Sequence, residues 1–206
     1  MTTSKVSAKG RPASGRLPLR AYIGWFALVF GFVSTVSVSR LWATSSDALE
    51  NEVKAAMVFN FTKFIEWPTA SFTDSKAPFV VGLLGEDDLT PFLEAAMREK
   101  SVAGHPVRCI RMQAHKASEN CHLLVIARSE RRKGAEILSK WQRSGVLSVS
   151  TIDQFVKMGG VIGIVVEDKR ARFEVNIDTA RRANLNISSK LLRLARNFED
   201  HIGGLR

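Results

Sequence analysis

Apolar positions along the chain follow two different periods. Phe79–Leu84 contains no polar residue, and neither does Leu123–Ala127 in the segment His122–Ala127. Each is the length of a strand covered on both sheet faces. Val107–Met112 alternates and reads as a more exposed strand, and Val146–Val149 as another. Val161–Val166 follows the pair Gly159-Gly160, meets the charged turn Glu167-Asp168-Lys169-Arg170, and gives way to Phe173, Val175 and Ile177 on one face. That stretch predicts a β-hairpin, because side chains two apart in a strand point the same way. The glycines before and inside its first strand predict a close backbone approach.

The remaining apolar residues recur at helical spacing. Ser46-Asp47 can cap a helix that runs to about Trp67, with Leu49, Val53, Met57, Phe61, Phe64 and Ile65 on one face and Pro68 as its stop. Thr90–Glu99 predicts a second helix, with Pro91 in its first turn, and Glu130–Arg143 an amphipathic third carrying Ile137, Leu138 and Trp141. A short helix is expected near Ile152–Met158, and a last one from about Ile187 to Phe198 carrying Leu191, Leu192, Leu194 and Ala195. Strands alternating with helices give an α/β class. The expected architecture is a three-layer α/β/α sandwich with a mostly parallel sheet and an antiparallel hairpin near one edge.

Charge changes the picture at the N-terminus. Residues 1–46 hold six basic groups (Lys5, Lys9, Arg11, Arg16, Arg20, Arg40) and no acid, and Ala21–Ser39 is almost wholly apolar or small. A basic region, an apolar core and then small residues form a secretory signal, although a stretch of roughly 20 apolar residues also serves as an uncleaved membrane anchor. On either reading residues 47–200 form a single exported domain, and 201–206 a frayed tail. The six leader charges account for most of the formal net charge of +10. Nucleic acid is therefore a poor candidate partner, and pairs such as Arg131-Arg132 read as solvated faces.

Catalytic and metal chemistry find no support. Cys109, His115, Cys121 and His122 fit no common zinc spacing, and Cys121 and His122 fall on opposite faces of a strand. Gly82-x-x-Gly85 is short of a dinucleotide fingerprint and precedes three acids, Glu86-Asp87-Asp88, which read as a solvated turn. No G-x-S-x-G occurs. No metal or cofactor is expected. The two cysteines leave two alternatives open: a bridge worth ~3 kcal/mol in the chain-entropy model, or buried free thiols. Asn60 and Lys63 stand out on a helix of large apolar residues, with Trp67 at its end and Ser188-Ser189-Lys190 before the last helix. They serve either as caps and fasteners or as a shallow site, with Trp67 as a stacking surface and Lys63 plus Arg172 as anion contacts.

Two segments, Asn51–Pro68 and Thr151–Ala195, resemble the YfiR family of periplasmic proteins. The resemblance rests on Val53-Lys54-Ala55-Ala56, on Asn60-Phe61-x-Lys63-Phe64-x-x-Trp67-Pro68, on Gly159-Gly160, on Phe173-x-Val175-Asn176 and on Ile187-Ser188-Ser189-Lys190-Leu191-Leu192. It covers roughly Leu49–Asn197. It implies an exported α/β/α domain, often dimeric and without catalytic activity, that represses an inner-membrane signalling protein. In the best-known member the target is the periplasmic sensor part of a diguanylate cyclase, and an outer-membrane lipoprotein sequesters the repressor. Loss of repression there raises cyclic di-GMP and promotes biofilm. The candidate partner- or ligand-binding residues are Asn60, Lys63, Trp67, Arg172, Asn176, Ser188, Ser189 and Lys190. That member also depends on a disulfide close to the Gly-Gly hairpin. No Cys occurs between Ile152 and Arg206, so this feature does not carry over. A second reading is a periplasmic small-ligand-binding module feeding a receptor or sensor kinase.

Overall fold

A computed structural model describes residues 46–113, 121–141 and 145–197 of the chain. The leader, His115 and the tail 201–206 lie outside the described residues. In chain order the elements are helix α1 (46–62), strand β1 (Ile65–Glu66), β2 (Phe79–Leu84), α2 (Thr90–Met97), β3 (Ser101–Val102), β4 (His105–Met112) and β5 (Leu123–Ile126). A 3-10 stretch (Arg128–Lys133) leads into α3 (Gly134–Trp141), followed by β6 (Leu147–Ser150), β7 (Ile162–Glu167), β8 (Arg170–Val175), α4 (Ile177–Arg182), β9 (Asn186–Ile187) and α5 (Ser189–Leu192).

Seven strands form one sheet in the order β3-β4-β2-β5-β6-β7-β8. The β4-β2-β5-β6-β7 pairings are parallel; β3 and β8 are antiparallel to their neighbours. The sheet is therefore mostly parallel, with the expected hairpin at one edge. Its two faces bury separate clusters. Phe79, Val81, Leu83, Leu123, Val125, Ile162 and Phe173 point to the side covered by α1, α2 and the C-terminal helices, whereas Val80, Leu84, Leu124 and Ile126 meet Ile137 and Leu138 of α3 and Phe155. Alternate residues of β2 and β5 thus serve opposite layers, which is why these two strands carry no polar position.

Several element boundaries differ from the sequence expectation. Helix α1 stops at 62 rather than near Trp67, because Ile65 and Glu66 pair antiparallel with Ile187 and Asn186. Its buried face is the expected one at Phe61 and Ile65 but not in its first turns. Ala55, Val58, Phe61, Thr62 and Ile65 are buried, while Leu49 and Val53 are 62% and 45% exposed. The stretch 152–158 is a chain of turns rather than a helix; it lays Phe155 over Gly160, where a Cβ would overlap the ring. That is the close approach the glycine pair predicts. The helix expected at Ile187–Phe198 is reduced to the single turn α5, and α4 was not anticipated. Asn176 caps α4 by accepting the Thr179 N–H at 2.9 Å.

The chain closes one edge of the sheet itself. After α5 the Arg196 N–H donates to the Phe173 carbonyl at 2.8 Å. The Asn197 side-chain amide then copies a strand, its Oδ1 accepting from Val175 N–H at 3.0 Å and its Nδ2 donating to Val175 C=O at 2.9 Å.

Candidate functional site

In a parallel sheet the first place to look for chemistry is the carboxyl end of the strands, where the winding reverses. Here the chain moves outward from β2 to β4 and returns past β2 to β5, so the reversal lies between β2 and β5. The loops that follow these two strands fill the crevice themselves. Arg128 N–H donates to Asp87 Oδ2 at 3.1 Å, and Leu89 N–H donates to Oδ1 of the same carboxylate at 3.1 Å. Glu86 N–H donates to Ser129 Oγ at 3.3 Å. Gly85 has φ +78°, and a Cβ there would lie 2.5 Å from Ser129 Oγ. The backbone donors that would cradle an anionic substrate are thus occupied by Asp87 and Ser129. Glu86 of the same turn pairs with Arg111 at 3.0 Å. Among the described residues no three His, Cys, Asp or Glu side chains are grouped to hold a metal.

Neither thiol is bridged or activated. Cys109 and Cys121 are free, and they lie in the two different clusters, on opposite faces of the sheet. The bridged alternative is therefore not the one observed. Burial pushes the Cys121 thiol up to about 12 and raises that of Cys109 as well, with Glu94 adding to the second. Both stay protonated at neutral pH, where only a thiolate would be a nucleophile or ligand.

The residues singled out by sequence divide into fasteners and surface groups. Trp67 is not a free stacking surface. It packs edge-on against Phe79 with ring centroids 5.0 Å apart, and its Nε1–H donates to the Thr62 carbonyl at 3.4 Å. Asn176 holds α4, and its Nδ2 also donates to the Val156 carbonyl at 2.9 Å. Ser188 caps α5, its Oγ accepting from Lys190 N–H at 3.3 Å, while its own N–H ties the segment to Phe64 C=O at 2.9 Å. Ser189 and Lys190 are exposed. Asn60 and Lys63 form an exposed pair, Lys63 Nζ donating to Asn60 Oδ1 at 2.9 Å and standing 4.8 Å over the Phe59 ring.

Arg172 belongs elsewhere. It alternates with Phe173 along β8, and Phe173 is the residue that meets α1, through Phe61 at 5.0 Å between ring centroids. Arg172 therefore faces away from α1 and away from Lys63. It lines an open groove of about 510 Å³ with Glu167, Asp168, Arg170 and Arg196. Arg196 is paired there with Glu167 and Glu174, at 2.9 and 2.8 Å; among the described residues Arg170 and Arg172 make no ion pair.

Sequence reasoning missed the outer face of α1. Leu49, Val53, Ala56, Asn60 and Lys63 are all exposed and recur at steps of four, three, four and three. At 3.6 residues per turn that spacing is a single stripe along the outer face of the helix and its last turn, apolar at the start and polar at its end. The signal was available in a second series on the same helix, the apolar Ala55 and Val58 with the small Thr62, which competes with Leu49 and Val53 for the core.

The described residues contain no helix long and apolar enough to cross a membrane. No curated protein matches the chain at a significant level. A family model described as YfiR/HmsC-like matches residues 51–196.

Proposed function

Because the chain belongs to the YfiR/HmsC-like family of periplasmic regulators in cyclic di-GMP signalling, we propose that it acts by binding a membrane signalling protein through the outer face of α1. The partner is the periplasmic sensor part of an inner-membrane diguanylate cyclase, which the protein holds inactive. The observation that carries this reading is the exposed stripe Leu49–Val53–Ala56 ending in the Asn60–Lys63 pair. Apolar side chains that the fold leaves outside, next to a cation with little else to hold it, have the composition of an interface core and its rim. Repression needs no bond chemistry. The protein must bind the inactive conformation of its target better than the active one, and about 1–3 kcal/mol of coupling gives a usable switch. The occupied switch-point crevice and the protonated thiols agree with a protein of this kind.

The test is cellular cyclic di-GMP in a deletion strain, complemented by the full chain and by a copy lacking residues 1–46. A rise on deletion that only the exported chain reverses supports the proposal, and the same strain carrying Val53→Asp then assigns the surface. An unchanged cyclic di-GMP level in the deletion strain would rule out a cyclase as the target.

The groove at Arg170 and Arg172 favours a second reading, a small anionic ligand held by two guanidinium groups that have no carboxylate partner among the described residues. A thermal-shift screen with carboxylates and phosphates separates the two. A ligand of the native state must raise the apparent midpoint, and Arg172→Ala must remove the rise.

A further inference from the structure

We propose that residues 67–78 form an acid-released strap, latched over the amino end of the sheet by the neutral imidazole of His122. The inference stands apart from the identity of any partner and rests on how this ring is bonded. His122 precedes β5 and is 8% exposed. Its Nδ1 lies 3.0 Å from the Val80 backbone nitrogen, whose hydrogen it must accept, since an amide N–H can only donate. The proton of the neutral ring is thereby fixed on Nε2, which donates to the Ser71 carbonyl of the strap at 2.9 Å. One imidazole thus joins the start of β2 to the strap, and only one tautomer can do so.

The same ring sits in an aromatic column. Phe72 of the strap stacks on it with centroids 4.6 Å apart, and Phe79 stacks 5.0 Å away. On the far side of Phe72 lies His105, at 3.8 Å and almost parallel, with its Nδ1 2.6 Å from the Ala77 carbonyl. Trp67 closes the column edge-on. The strap is therefore held at Trp67, Ser71, Phe72 and Ala77; His122 provides the Ser71 fastening and shares Phe72 with His105.

A second proton on His122 goes to Nδ1, where it faces the Val80 N–H. The hydrogen bond becomes a donor–donor contact, and the ring must turn out of the column, leaving Ser71 and Phe72. The charged groups nearby do not relieve it. His105 faces it across Phe72, Arg108 is the cross-strand partner of Val80 on β4, and Cys121 beside it remains protonated. On the strap itself Asp74 is exposed and bonded to the Lys76 N–H. Burial, with His105 adding to it, lowers the His122 pKa from its ordinary value. The contribution of the latch is accordingly complete above the ordinary imidazole range and is lost as pH falls through the lowered value. Outside the cytoplasm pH is set by the surroundings, and the strap leads directly out of β1 and the Asn60–Lys63 end of α1. Release would change that surface.

Region-resolved amide exchange on the full chain tests the latch, with rates corrected for the intrinsic effect of pH, at about pH 7.5 and about pH 5. The expected result is at least about tenfold faster exchange of residues 69–80 in acid, with the β5 and β6 amides unchanged. His122→Gln, which can donate and accept without titrating, removes the acid response; His105→Gln retains it. The wild-type chain gives a second readout that needs no variant, since strap exchange must follow the NMR titration of the His122 ring. Equal protection at both pH values, a response that survives His122→Gln, or one that follows the His105 ring would each overturn the proposal.

Discussion

Helix α1 carries apolar side chains on two faces, and the chemistry of the two is nearly the same. Ala55, Val58 and Phe61 look inward and are buried against the sheet, while Leu49, Val53 and Ala56 look outward. The inner set has partners in the same chain, such as Phe173 against Phe61. For the outer pair Leu49 and Val53 the fold alone offers no explanation. A folding domain that leaves two large apolar residues in line on one helix retains a surface whose hydrophobic stabilisation is still to be gained by association. The contrast teaches that residue type does not divide structure from function here; direction does.

The contrast can be broken most directly at Phe61. Phe61→Ala opens a cavity in the core and is expected to cost about 3–5 kcal/mol, seen as a fall in the denaturant midpoint with an unchanged slope. Next comes Asn176→Ala, which removes the α4 cap and should cost about 0.5–2 kcal/mol, with partner binding unaffected once the protein is folded. Such a result would assign Asn176 to the scaffold rather than to a site. The outer face should behave in the opposite manner. Leu49→Asp and Val53→Asp are expected to leave stability within about 0.5 kcal/mol. Each should weaken capture of the proposed sensor-domain partner at least about tenfold, measured by titration calorimetry. If they unfold the protein instead, the outer stripe is core and the comparison fails. The smallest effect belongs to Lys63→Ala, expected within about 0.5 kcal/mol in stability and visible only as slower association and altered salt dependence.

Strands were far more legible than helices, for a physical reason. Phe79–Leu84 is buried on both faces, so its composition alone declares it. A helix such as α1 carries two overlapping apolar series, and the choice between them depends on what packs against it. The sequence reading chose Leu49 and Val53; the sheet chose Ala55 and Val58. The end of α1 was misplaced because β1 exists only through its pairing with Asn186-Ile187, more than a hundred positions along. The histidine column was illegible for the same reason: Phe72, His105 and His122 are brought together by the parallel register of β2, β4 and β5. Asn60, Lys63 and Trp67 stand out in the sequence, yet Trp67 proved to be part of the packing, and Arg172 faces away from α1. The lone Asn176 could have been recognised from its spacing to Thr179 as a cap.

The closure of the β8 edge by Arg196 and Asn197 has a consequence in time. These residues follow the strand they cover by about twenty positions. A polypeptide that crosses a membrane amino-end first therefore presents a finished but open strand edge to its new compartment until Arg196 and Asn197 arrive. Unpaired edges are templates for joining other chains. During that interval a neighbouring copy can take the place of the amide clasp, so the delay between β8 and its clasp is the window in which joining another chain competes with closing the edge from within.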